Sequence, residues 1–198
     1  TAPRPKGLSE AEKAMLQALA RLASENLELR RVANASERLT GLQTALVEIG
    51  ETIRSSHDTA EMASATAAIV GRALATDRAG FGSVDDDVET IDVETDWTAP
   101  GIMSIAGRHR LEEYGSLRKP LVGGDPLIVW DALTDDRTLH NLESAVRVGV
   151  RSLVDMPVRD RGKTIAVFFV HSAHPRPWPA EEISFLRSAA DRLEAGVA

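Results

Sequence analysis

The chain is 198 residues long, with no cysteine, a formal net charge of −7 and 43% apolar residues. That length fits one domain of about 150 residues plus an extension, and the missing cysteine excludes disulfide scaffolds, Cys-type zinc sites, Fe–S clusters, thiol catalysis and thioether-linked chromophores. The longest apolar run, Ile165 to Val170, is far short of a membrane span, and an opening at Thr1 with neither initiator Met nor signal peptide predicts a cytoplasmic piece of a longer polypeptide.

The first 80 residues hold no aromatic side chain and are rich in Ala, Leu, Glu and Arg, the composition of long helices. Met15, Leu19, Leu22, Asn26, Leu29 and Ala33 follow steps of four and three, a coiled-coil seam. A second seam runs Leu39, Leu42, Leu46, Ile49, Ile53. The registers join only through a stammer at Ser36, which would overwind the coil, or through a hinge near Asn34–Ser36. Asn26 on the seam favours a parallel homodimer in fixed register, with the seam residues Met15 to Ile53 as its interface. The alternative is one helix packed on its own domain, with Asn26 ending the apolar stripe. Residues 1–38 are accordingly read as a helical coiled-coil segment and 39–198 as the folded domain with flanking signalling helices.

Asp58-Thr59-Ala60-Glu61 has capping-box spacing and starts a second helix carrying Met62, Ala65, Ile69, Ala73 and Leu74. Ala79 to Val84 reads as a strand and Thr90 to Trp97 as its hairpin partner, with Ile91, Val93, Thr95 and Trp97 on one buried face. The three aspartates between them lack the spacing of a calcium loop and read as a solvated turn. Residues 98–126, broken by seven Gly and Pro residues before Pro126 closes them, form an irregular binding loop or lid. One or two helical turns are expected over Ile102–Tyr114, centred on Arg108, His109 and Arg110. Leu127 to Trp130 is a short strand, and Leu139 to Val148 a helix using Leu139, Leu142 and Val146, stopped by Gly149. Ser152–Val158 and Thr164–Ser172 form a hairpin whose second strand lacks alternation, marking it as central. A last helix from Pro179 turns Ile183, Leu186, Ala190, Leu193 and Val197 inward.

These elements predict an α+β fold with a central antiparallel sheet of about five or six strands, helices on one face and an irregular cap on the other. The runs DRAGFGSVD, DW…G…SIAGRHRLEEYG, GDPLIVWDA…DDR and GVRSLVDMPVRDRGKTIAVFFVHSAHPRPWPAEE resemble a GAF domain over residues 39–198. The last run is similar to GAF modules of HWE-type bacterial sensor histidine kinases. The resemblance implies a cytoplasmic sensory module of a two-component system that binds a small molecule or chromophore noncovalently and relays the change through dimeric helices; a ligand-free dimerisation and relay spacer is the alternative. GAF proteins that reduce methionine sulfoxide, or that link a bilin within the domain, use cysteines, so neither job suits this chain.

Neither catalytic nor metal sets emerge: HExxH, GxSxG, Walker A and GxGxxG are all missing from the sequence, as are the motifs of a kinase. His171 and His174 have no third ligand at a recognisable spacing and read as surface polar residues. A haem would need an axial histidine, for which His109 and His140 are candidates, although an isolated histidine usually has a plainer role. Residues 1–56 carry 8 basic and 7 acidic side chains and residues 57–198 carry 15 and 23, so the domain would repel nucleic acid. The Arg108-His109-Arg110 cluster either draws in an anionic ligand or forms salt bridges with Glu112 and Glu113. Trp97, His109, Tyr114, Trp130 and Asp131 are the candidate ligand-binding residues, because Trp and Tyr offer apolar area with one hydrogen-bond donor. Phe168 and Phe169 are expected in the core. The cofactor is unknown.

Overall fold

The computed structural model describes residues 8–56, 58–85 and 87–197, with the backbone alone at 140, 196 and 197. His57 and Asp86, and the side chains of His140 and Val197, lie outside the described set. The chain divides into two units, meeting between Gly41 and Leu42.

In the first unit the helix α1 (Glu10–Ser55) begins and runs unbroken through Asn34–Ser36, so no hinge forms there. Its start is a capping box: Glu12 N donates to Ser9 Oγ and Ser9 N to Glu12 Oε2 (2.7 Å). Met15, Leu19, Leu22, Leu29 and Leu39 are all exposed. Asn26 is exposed too, and its Nδ2 donates to the Leu22 carbonyl at 3.0 Å.

The second unit corrects the other half of the seam. Leu42 and Ile49 are buried in the chain's own core, with Leu46 and Ile53 half-buried against it. They are not free for a dimer interface, because the closing turns of α1 use that stripe to pack the domain. Arg192 Nη1 donates to the Leu46 carbonyl, fixing α5 (Ala180–Val197) alongside. α2 (Thr59–Leu74) starts on Asp58, whose Oδ1 accepts from the amides of Ala60 and Glu61.

The strands are β1 (Arg78–Val84), β2 (Thr90–Val93), β3 (Asp96–Thr98), β4 (Gly107–Arg110), β5 (Leu127–Val129), β6 (Ser152–Asp160) and β7 (Lys163–Ser172). They form one antiparallel sheet in the order β4-β2-β1-β7-β6-β5, with β3 also pairing β1. β7 is central, as its unbroken apolar run requires. α2, α5 and the end of α1 cover one face through a core built on Val70, Phe168 and Leu186. The other face carries a second core, with Leu121, Val129 and Phe169, under α3 (Arg118–Gly123), α4 (Leu142–Arg147) and the irregular cap.

The expected strand Thr90–Trp97 is two strands. Ser83 pairs with Asp92 while Gly80 pairs with Asp96, so this edge has one residue more than β1 opposite it. Side chains alternate between faces, and a single extra residue inverts the alternation beyond it. Ile91 and Val93 therefore face the cap, whereas Trp97 faces the helices. Its indole lies against Gly71 of α2, where an added Cβ would come within 2.1 Å of the ring.

Two further expectations change. Arg108, His109 and Arg110 lie on the edge strand β4, paired with β2, and not on a helical turn; helical geometry begins only in the 3₁₀ turn Leu111–Tyr114. The helix over 139–148 is a 3₁₀ turn, Leu139–Asn141, followed by α4, and Leu139 and Val146 are exposed. The small Ala145 is the buried residue of α4, which lets the helix sit close to the sheet.

Candidate functional site

Between the sheet and its cap lies a cavity of about 80 Å³. Its floor comes from alternate residues of three strands: Ile91 and Val93 of β2, Leu153 and Asp155 of β6, Val167, Phe169 and His171 of β7. The edge strand β4 supplies His109, and the cap supplies Ile105, Leu111, Tyr114, Leu117, Ala132, Thr138, Ala145, Val148 and Val150. Gly80 of β1 makes room for the Phe169 ring, which an added Cβ would approach to 2.5 Å.

Polar side chains at the floor form a chain. Arg78 and Asp96 are a buried pair, Nε to Oδ2 at 3.4 Å, with side chains 3% and 1% exposed. Arg78 donates to the Met103 carbonyl from Nε and Nη2, and from Nη2 to the Val148 carbonyl at 3.1 Å. Asp96 accepts from the Ser104 hydroxyl and the Ile105 amide. This pair thus replaces regular secondary structure in holding residues 103–105, and it reaches the end of α4. Burial pushes the Arg78 pKa down, and the carboxylates of Asp96 and Asp77 oppose that shift.

Arg78 Nη1 also stands 3.5 Å from His171 Nδ1. Guanidinium only donates, so Nδ1 is the acceptor and the neutral ring carries its proton on Nε2. That nitrogen lies 3.5 Å from Asp155 Oδ1 without hydrogen-bonding to it. Asp155 Oδ1 is buried and accepts no hydrogen bond.

Of the five candidate ligand residues, the structure brings two together at the cavity. His109 donates from Nε2 to the Ile105 carbonyl at 2.6 Å and pairs through Nδ1 with the Tyr114 hydroxyl at 2.8 Å. Both ring nitrogens are engaged, leaving no lone pair for a haem iron. Burial raises the Tyr114 pKa above the usual phenol value. The other three lie elsewhere. Trp97 was turned to the helix layer by the extra residue in its strand. Trp130 follows the end of β5 and is 60% exposed. Asp131 forms a two-pronged pair with Arg151 (2.9 and 2.8 Å), which lowers the carboxylate's pKa, and caps the turn at Leu133 N. Of the basic cluster, Arg108 pairs with Asp92 and Arg110 with Glu112, both on the outside.

Sequence reasoning missed Asp155, Phe169 and His171 as cavity residues and Arg78 as the partner of His171. A signal existed for one of them: Asp155 is the lone charge in the apolar run SLVDMPV. His171, read as a surface residue, has a side chain only 13% exposed. A wider groove of about 590 Å³ runs between α2, α5 and the β6–β7 turn, with exposed charges such as Glu94 and Arg161 on its wall.

Among the described residues, no group of three or more His, Asp or Glu is placed to hold a metal ion. No described helix is long and apolar enough to cross a membrane.

The family model of the GAF domain matches residues 58–197. The fold is similar to that of a free methionine-R-sulfoxide reductase from Neisseria meningitidis, solved with its substrate. That match has 19% identity and a TM-score of 0.64, over 78% of this chain and 87% of that one. It is also similar to a phycocyanobilin-bound GAF domain from a cyanobacterial phytochrome, with 20% identity, a TM-score of 0.68 and coverage of 79% and 93%. The chromophore-binding domain of a bacteriophytochrome from R. palustris matches at 14% identity and a TM-score of 0.68, over 82% of this chain and 60% of that one. The sequence matches no curated protein.

Proposed function

This chain belongs to the GAF domain family, and from that premise we propose that it is the sensory module of a signalling protein, in which a small molecule enters the cavity beneath the cap. The observation that carries the reading is Arg78. One buried guanidinium touches His171 in the cavity wall and the carbonyls of Met103 and Val148 in the cap. A ligand that moves His171 disturbs the grip on both cap segments. Only a ligand with different affinities for the two cap arrangements shifts their populations, and about 1–3 kcal/mol is the usual scale of such coupling.

The bilin-bound relatives do not supply the ligand by analogy. A drug-sized ligand takes about 300–1,000 Å³, whereas this cavity offers about 80 Å³. A tetrapyrrole does not fit, and no cysteine is present to anchor one. A compact ligand does fit.

The parent protein in this reading is a cytoplasmic two-component sensor histidine kinase. Support comes from the resemblance of the last two strands and helix to GAF modules of HWE-type kinases. Its partner is a second copy, paired in parallel along Met15, Leu19, Leu22, Asn26 and Leu29. The exposure of the four apolar residues of that set supports this, because a helix leaves such a stripe in water at a cost that pairing removes.

Thermal shift across a metabolite panel tests the sensory reading. Wild type is expected to gain stability with at least one compact ligand, and Ala145→Leu, which fills the cavity, to lose the response. If no ligand moves the melting temperature of either protein, the domain is a ligand-free relay spacer instead.

A further inference from the structure

The cavity is apolar except at one corner, and that corner has an unusual composition. The Asp155 side chain is 8% exposed. Its Oδ1 is sealed from water and receives no hydrogen bond. The ring nitrogen Nε2 of His171, which carries the proton when Nδ1 accepts from Arg78, is 3.5 Å away and does not hydrogen-bond to it. Arg78, which reaches His171 from its other side, is already matched by Asp96. Asp155 therefore keeps a buried carboxyl oxygen that no hydrogen-bond donor satisfies, a costly arrangement in an apolar site. Beside it lies Phe169, whose ring stacks on His171 with centroids 4.8 Å apart and also lines the cavity.

Resting on the cavity reading above, we propose that the Asp155 corner binds the protonated nitrogen of a small amine whose compact apolar body fills the rest of the cavity. The pieces fit in charge, shape and size. An ammonium group would give Asp155 the charge-assisted hydrogen bond it lacks. The Phe169 face is the surface on which a cation gains further attraction. Leu117, Leu153 and Val167 line the space for the apolar body. At about 10–15 Å³ of cavity per water-sized group, the volume takes on the order of six non-hydrogen atoms. Outside the cavity, the excess of 23 acidic over 15 basic side chains in residues 57–198 favours the approach of cations.

The test is calorimetric titration of the full chain at pH 7 with butylamine and pentylamine, beside the matching alcohols and carboxylates, with binding located by chemical-shift changes at Phe169 and Leu153. Wild type should bind an amine at least ten-fold more tightly than its alcohol. Asp155→Asn should erase that preference while still admitting the alcohol. Phe169→Leu, which leaves the carboxylate in place, should weaken the amine several-fold more than the alcohol, and it serves where Asp155→Asn does not fold. Alcohols or carboxylates binding wild type as tightly as amines would overturn the amine assignment and leave the cavity reading standing. An amine preference that survives in Asp155→Asn has the same meaning. Absence of binding by all three classes would overturn both.

Discussion

Arg78 stands 3.4 Å from Asp96 with both side chains sealed from water, and the two grip the same stretch of backbone, Met103 to Ile105. Cutting either leaves an uncompensated buried charge, worth about 3–5 kcal/mol. Arg78→Met is therefore expected to lose stability on that scale in denaturant unfolding. Hydrogen exchange at Ile105 should quicken well beyond the global loss, because its amide donates to the partner carboxylate. Uniform acceleration across the domain would show that the pair does not serve the cap in particular.

The contact of Trp97 with Gly71 makes a second expectation. Gly71→Ala puts a methyl group 2.1 Å from ring carbon Cε3, where neither the helix nor the sheet has room. Overpacking of this kind costs about 1–3 kcal/mol. Tryptophan emission should change with it, since the indole must be displaced. A variant as stable as wild type, with unaltered emission, would refute the packing.

The sheet, its two covered faces and the central place of β7 were legible from apolar patterning, because strand periodicity and Gly/Pro punctuation are local signals. The Asp58 cap was equally plain. Trp97 was not, since the extra residue between Val93 and Asp96 is visible only in the pairing with β1, a non-local event. Leu42 and Ile49 misled for a related reason: a stripe spaced for pairing looks alike whether a second chain or the parent domain covers it. His171 was misjudged because one of its partners, Arg78, is 93 residues away in sequence.

Acid should weaken the fold in a defined direction. Hydrogen bonds from Arg137 hold the Asp135 carboxyl below its ordinary value, with the charge of Arg137 adding to them. A carboxylate lowered in the folded state contributes stability above its unfolded pKa of about 3.9, and that contribution is lost as pH falls through the lower folded value. Melting temperature is expected to decline below about pH 4, and carbon-13 NMR should show Asp135 titrating below 3.9. Titration at or above 3.9 would remove the pair from the account.

The exposed part of the α1 seam makes a prediction on assembly. Light scattering at micromolar concentration should return twice the 21.4 kDa chain mass, and Leu22→Lys should reduce it to one chain. Asn26→Leu is expected to raise stability and loosen the order of assembly, as apolar substitution of a seam asparagine does. A single-chain mass for wild type would exclude the dimer.

Phe168 and Phe169 are adjacent on β7, yet one stacks on Phe81 within the helix-side core and the other floors the cavity. The barrier between the chamber and the helices is thus a single layer of backbone. A tilt of the strand that reseated Phe169 would also move Phe168, which shares its core with Val70 and Leu186. In the proposed sensory reading, the partition itself is then a second route to the helices, beside the Arg78 grip on the cap.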